Sequence, residues 1–463
     1  MTETVAAPPH EDEPPQPPPS DNGFATGARV LSVGIASTGI FTFAYLATAS
    51  HVLDKASYSR ISLCWAIMFV ILSVIYRPIE QLLSRTIADR QARGAAGHVL
   101  RTPAIIQSSF ALLFLVVALA LRHTIEHNLF NGSSELYWIL VIGVLAYAGS
   151  YFARGWLAGH KRFALYGALV FLESTSRFLF AVAVAVGIGS GQGAVGLGMA
   201  AAPFVSLCVI PFAFTHVRRV SAPAEIEVAD AAREGPAHGQ VEEAATDLSL
   251  RHGGGFAFAV VAIMLSEQTL MNAGVLVVAA NSGADGLTSG LTGFVFNVLL
   301  IVRAPLQLFQ AIQTSILPHL AGLEARESAD EFHRAIRLTV LVIAAFALAV
   351  AVGLLAIGPF VMKTALGNHG YPYNRFGLAL VGLGMGLHLA SGTFNQAALA
   401  RGRASAAARC WLTAAALFVL FVAFHTITNE VTRVEVGYFG ATAILCALLT
   451  FVYRAGGAPA AAG

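Results

Sequence analysis

Charge is scarce in this chain, and that scarcity fixes the class of molecule. Only 12% of the 463 residues are charged while 56% are hydrophobic, and the mean hydropathy is +0.69. A soluble protein of this length is not so apolar, so the chain reads as a multi-span membrane protein. Cysteine is sparse too. Cys64, Cys208, Cys410 and Cys446 each stand inside an apolar run without paired or ligand-like spacing, which excludes a disulfide framework and a metal site. No cofactor and no nucleic-acid partner are expected. The short outer connections lack a carboxylate pair, which excludes a membrane enzyme such as a glycan polymerase or ligase.

The first 27 residues are rich in Pro (Pro8, Pro9, Pro14, Pro15 and Pro17 to Pro19) beside Glu3, Glu11, Asp12 and Glu13, a composition that cannot bury enough apolar surface to fold. No basic flank and short apolar core precede residue 28, so this is expected to be an unstructured cytoplasmic tail and not a signal peptide. Twelve apolar segments of bilayer length follow, near residues 28–49, 58–84, 103–122, 135–158, 164–187, 193–216, 255–280, 288–318, 335–357, 375–400, 405–425 and 434–453. Segments this long and apolar must satisfy their own backbone groups, so they are helices. The stretch 217–254, rich in Ala, Glu and Asp, reads as a solvated cytoplasmic linker, with room for a short surface helix, between two six-helix bundles, 28–216 and 255–454, with 455–463 a short cytoplasmic tail.

Where the cations fall sets the topology. With a cytoplasmic amino terminus, 19 of the 28 Lys and Arg lie on the inner side, 6 on the outer side, and Arg77, Arg177 and Arg303 lie within the membrane. That bias places both termini in the cytoplasm. A repeat supports the division into halves. Arg77-Pro78-x-x-Gln81 in segment two matches Arg303-x-Pro305-x-Gln307 in segment eight, and Ala153-Arg154-Gly155 matches Ala400-Arg401-Gly402 in segment ten. Segments six apart share an orientation, so the repeat is parallel and predicts two bundles around a central cavity.

Ionisable groups at bilayer depth cost about 3 kcal/mol or more unless they face protein or a wet cavity, so they mark candidate sites. Arg303, Gln307, Gln310 and Thr314 are spaced on one helical face and could donate hydrogen bonds to phosphate or sugar; equally, Arg303 could snorkel to the interface while the glutamines tie helices together. Glu80 and Gln81 share the face of Arg77, either as a cavity wall or as an Arg77–Glu80 pair pinning a proline-bent helix. Glu173 and Arg177 stand i, i+4 and can neutralise each other. Glu267, Gln268 and Asn272 place an acid beside two amides, with Glu267 a candidate proton or sodium site and, equally, the three a set of interhelical hydrogen bonds. His388, Ser391 and Asn395 form a further stripe, in which His388 reads first as a packed histidine and second as a coupling site.

Two lookalikes carry nothing. Gly191-Gln192-Gly193-Ala194-Val195-Gly196 fits a dinucleotide pattern but lies in an external turn with no preceding strand. Asn131-Gly132-Ser133 fits a glycosylation acceptor, yet the Arg-over-Lys, Ala-rich composition is bacterial.

The stretches Arg77-Pro78-Ile79-Glu80-Gln81-Leu82-Leu83-Ser84-Arg85, Ala153-Arg154-Gly155-Trp156-Leu157-Ala158-Gly159 and Arg303-Ala304-Pro305-Leu306-Gln307 resemble Wzx-type polysaccharide flippases of the multidrug/oligosaccharidyl-lipid/polysaccharide exporter superfamily. The resemblance covers residues 28 to 454. It implies a MATE-like V-shaped cavity between two six-helix bundles, alternating access, and a polyprenyl-diphosphate-linked oligosaccharide as cargo in the bacterial cytoplasmic membrane. It also makes Arg77 and Arg303 the leading diphosphate contacts, with membrane lipid and H+ or Na+ as further partners and a monomer as the expected state. Multidrug antiporters of the superfamily carry an acid on helix one, and residues 30–50 hold none. Lipid II flippases carry two further carboxy-terminal helices. A cation-coupled drug or small-solute antiporter and a major facilitator transporter are the alternatives, although Ala88-Asp89-Arg90-Gln91-Ala92-Arg93-Gly94 lacks the glycines of the facilitator signature.

Overall fold

The computed structural model describes residues 22–92, 100–215, 239–303, 305–306, 329–367, 370–424 and 427–455. Leaving aside short turns, these form twelve helices. The first half comprises α1 (Asn22–Val52), α2 (Lys55–Ala92), α3 (Arg101–Ala120), α4 (Ser134–Gly159), α5 (Phe163–Ala185) and α6 (Gly191–Ser206, continuing through a tighter turn to Thr215). The second comprises α7 (Gly239–Thr288), α8 (Leu291–Arg303), α9 (Ala329–Leu366), α10 (Arg375–Ala400), α11 (Ala404–Ala423) and α12 (Glu430–Ala455). Ten helices among the described residues are long and apolar enough to cross a bilayer. The protein is a multi-pass, all-helical membrane protein.

Local chemistry starts four of the even-numbered helices on the same face. Asp54 accepts from the backbone N–H of Ala56 and Ser57 ahead of α2, and Ser133, Asn374 and Asn429 cap α4, α10 and α12 in the same way. The Ser57 side chain, with those backbone donors, holds the Asp54 carboxyl below its ordinary range. Pro78 inside α2 removes the N–H that would bond the Val74 carbonyl, one turn back at the level of Arg77. In α7 the helical path breaks at Gly283, with φ 54°.

The packing repeats. In the first half α1 packs on α5, α3 on α4, α4 on α6 and α5 on α6; in the second, α7 packs on α11, α9 on α10, α10 on α12 and α11 on α12. Each pair recurs six helices later, as a parallel repeat requires. The halves meet where α2 lies along α7, with a smaller contact between α1 and α9. One apolar core runs through both, from Tyr45 and Trp65 to Phe296 and Tyr438.

Two boundaries differ from the sequence reading. Residues from Gly239 onward, assigned to the linker 217–254, are helical and continuous with α7, because Val241-Glu242-Glu243-Ala244-Ala245 is a run rich in strong helix formers. Arg433, counted as an outer cation, is 0% exposed: it lies in the first turn of α12, donating to the Ile427 carbonyl at 3.2 Å with Glu430 at 3.6 Å.

Close helix contact within the first half depends on glycine at Gly155 of α4, where a Cβ would lie 2.8 Å from the Glu80 carbonyl oxygen. Gly155→Val is therefore expected to cost about 1–3 kcal/mol through overpacking, read as a lower melting temperature in detergent. Gly353→Val, where nothing lies within 4 Å, should leave it unchanged.

Candidate functional site

Between the halves lies a cavity of about 360 Å³. Its wall in the first half comes from Thr38 and Thr42 of α1; Trp65, Phe69, Ser73, Arg77, Glu80 and Gln81 of α2; Tyr151 and Arg154 of α4; and Tyr166, Val170, Glu173 and Arg177 of α5. The second half adds Glu267, Gln268, Met271 and Asn272 of α7, with Arg303 and Leu306 on α8 and just beyond it. An apolar fold has gathered four guanidiniums and three carboxylates in one place.

Glu173 is the hub. It is 3% exposed, and one carboxylate oxygen accepts from the Tyr147 hydroxyl at 3.1 Å and from Arg177 Nη2 at 3.3 Å. The other accepts from Ser150 at 3.2 Å and from Arg154 Nη2. Aromatic faces back the cations: Arg177 lies 5.2 Å over Trp65 and 5.5 Å over Phe69, and Arg154 lies 4.6 Å over Tyr151. Such a cluster offsets the cost of desolvating each charge with several bonds at once.

The other two cations are held differently. Arg303 Nη2 donates to the Met271 carbonyl at 3.1 Å and to Asn272 Oδ1 at 2.8 Å, and its guanidinium lies 4.5 Å over Phe296. Asn272 is in turn oriented by Gln268, donating to its side-chain oxygen at 3.3 Å and its carbonyl at 3.0 Å. Among the described residues no carboxylate pairs with Arg303 or Arg77. Glu267, on the opposite half, lines the same cavity as Arg77. Among the described residues Arg154 Nε, Arg177 Nη1 and Arg303 Nε are buried without a partner, so the cluster holds more donors than the described acceptors satisfy.

No family model matches the chain, and no characterised protein matches its sequence. Solved structures do. An inward-facing multidrug resistance MATE family transporter of the MOP superfamily superposes with a TM-score of 0.62 at 13% identity, covering 93% of both chains. The eukaryotic MATE transporter AtDTX14 gives 0.61 at 12% identity, over 94% of this chain and 95% of that one. A point mutant of the Vibrio cholerae MATE transporter VcmN gives 0.60 at 12% identity, over 94% and 97%. The fold is MATE-like. The major facilitator alternative gives way to it.

Within this MATE-like fold, Arg77, Glu80, Gln81, Glu173, Arg177, Glu267, Gln268, Asn272 and Arg303 line one cavity. Arg77 and Glu80 form no local ion pair; Glu80 accepts instead from the Tyr166 hydroxyl at 2.7 Å. His388 and Asn395 stand apart, in the packing of the second half. His388 Nδ1 meets the Tyr438 hydroxyl at 3.0 Å, and Asn395 accepts from the Trp411 ring N–H at 3.1 Å. Their apolar neighbours on α11 and α12 take the stripe that sequence placed toward a lumen. Gln307 and Gln310, with Thr314, lie outside the described residues.

Arg154 was missed. Counted from sequence as a cytoplasmic cation, it turns inward to Glu173, whereas its repeat counterpart Arg401 turns to the Tyr453 carbonyl at 3.4 Å. The signal was present in the spacing of Tyr147, Ser150, Tyr151 and Arg154, a polar stripe on one face of α4. Removing the hub should expose its role: Glu173→Ala leaves two buried cations uncompensated and is expected to cost about 3–5 kcal/mol, read as a lower melting temperature than that of Glu173→Gln.

Proposed function

We propose that this protein is an alternating-access transporter that moves a polyprenyl-diphosphate-linked oligosaccharide across the bacterial cytoplasmic membrane. The observation that carries the reading is the pair Arg77 and Arg303. They come from corresponding helices of the two halves, line the same cavity and have no carboxylate ion pair among the described residues. A guanidinium offers a planar fork suited to phosphate oxygens, and two of them on opposite walls suit a diphosphate. Asn272 and Gln268 act as positioning residues that aim Arg303. In this reading Arg154 and Arg177, already engaged by Glu173, form the electropositive floor beneath the cargo. In this reading the cavity faces the cytoplasm, where such a precursor would be loaded, and the positive-inside bias of the sequence supports that orientation.

A cation-coupled drug antiporter is the second reading, favoured by the multidrug transporters among the structural neighbours and by the acids Glu80 and Glu267 in the cavity. In either reading Glu267, which forms no ion pair among the described residues, is the candidate coupling group for H+ or Na+.

In proteoliposomes, Arg77→Ala and Arg303→Ala are each expected to weaken binding of an undecaprenyl-diphosphate oligosaccharide about 10- to 100-fold, the size of one lost charge-assisted bond. The double variant should abolish its translocation at normal expression. Normal translocation by the double variant, or efflux of a cationic dye by the wild type with no response to the glycolipid, would overturn the flippase reading. Glu267→Gln should abolish dependence on an ion gradient while leaving glycolipid binding near wild type; undiminished gradient dependence would remove its coupling role.

A further inference from the structure

At the ends of α2 and α8 remote from the cavity-lining residues, the two halves are joined by neutral hydrogen bonds. The Tyr58 hydroxyl of α2 donates to Asn297 Oδ1 of α8 at 2.5 Å, and the Gly293 N–H of α8 donates to Ser59 Oγ at 3.1 Å. Asn297 Nδ2 continues to the Leu366 carbonyl at 3.3 Å and the Tyr373 hydroxyl oxygen at 3.4 Å, and that hydroxyl donates to the Gly367 carbonyl at 2.8 Å. Tyr58, Ser59 and Asn297 are all 0% exposed. The backbones touch here: a Cβ on Gly293 would lie 2.9 Å from the Tyr58 ring and 3.0 Å from Ser59 Oγ.

The backbone groups involved are those that helix ends leave without partners. Gly293 is the third residue of α8, so its N–H has no acceptor within that helix; Leu366 ends α9, so its carbonyl has no donor there. A side chain from the other half, Ser59, satisfies the first. Asn297, itself held by Tyr58, satisfies the second.

We propose that the Tyr58–Asn297 and Ser59–Gly293 contacts are the outer gate of the protein, the seal that must part for the cavity to open to the far side. The assignment rests on the alternating-access reading, but it does not depend on what the cargo is. The cavity wall on α2 runs from Trp65 to Gln81 and on α8 reaches Arg303, so both helices carry gate at one end and cavity at the other. No charge is buried at the seal. Parting it exposes the Gly293 N–H and the polar side chains of Tyr58, Ser59 and Asn297 to water, which can solvate all of them, so the gate can open without stranding a polar group.

The test reads conformation in cargo-free protein, which separates it from any failure of the flippase reading. Spin labels at Ile188 and Thr428, exposed positions on the gate side of the two halves, report their separation by pulsed dipolar spectroscopy in a cysteine-free background. Tyr58→Phe keeps the ring and loses the bond. It is expected to shift the ratio of far to near separations by about 3- to 10-fold toward far. Gly293→Ala, which wedges the same contact, should shift it in the same direction. If the two variants remain folded by their melting curves and leave the separations at wild type, the contacts are not a gate. If the shift appears and glycolipid transport is absent in all forms, the gate stands and the cargo assignment falls.

Discussion

An arginine held among apolar helices must be compensated where it stands, because the surrounding lipid offers neither water nor counter-ion. This chain meets that requirement once, at Glu173, and the rest of the first half is arranged to allow it. The carboxylate gathers Arg154 from α4 and Arg177 from its own helix, with Tyr147 and Ser150 completing its bonds. Gly155 brings α4 against α2 at the Glu80 carbonyl, and so sets Arg77 and Glu80 beside the cluster. Arg303, with no such counter-ion, is held by an amide, a carbonyl and an aromatic face. The first half thus pairs two of its cavity cations, Arg154 and Arg177, with Glu173, while Arg77 and, in the second half, Arg303 have no carboxylate ion pair among the described residues.

Much of the fold was legible in the sequence because a bilayer is a strict solvent. Ten of the described helices are long and apolar enough to span, and motifs six helices apart announced a parallel repeat that the packing repeats pair by pair. The cavity was legible for a related reason: Arg77, Glu173, Arg177, Glu267 and Arg303 are conspicuous in apolar runs. What escaped was whatever sat near a boundary or depended on distant pairing. Arg154 lies five residues before the end of an apolar helix, where a cation ordinarily belongs to the interface, and only the position of Glu173 turns it inward. Tyr58 and Asn297 are 239 residues apart, beyond any periodicity. His388 and Asn395 show the converse error. A polar stripe on a helix need not face a lumen when Tyr438 and Trp411 can answer it.

The repeat has diverged in use while keeping its geometry. Arg154 and Arg401 share a sequence motif, yet Arg154 lies inside α4 and is bonded within the cavity cluster, whereas Arg401 lies just past the end of α10 and donates to the Tyr453 carbonyl. Polar chemistry concentrates in α2, α4 and α5, while the equivalent α10 and α11 are knitted by aromatic and amide contacts. One bundle has become the reactive wall and the other the rigid frame, apart from Arg303 and the α7 residues that support it.

The neutral contacts between Tyr58, Ser59, Gly293 and Asn297 carry an energetic consequence. Two such bonds across the halves together hold about 1–3 kcal/mol. One elementary charge crossing a membrane polarised by 100 mV releases about 2.3 kcal/mol. Contacts of that strength lie within the work that one elementary charge delivers in crossing such a membrane.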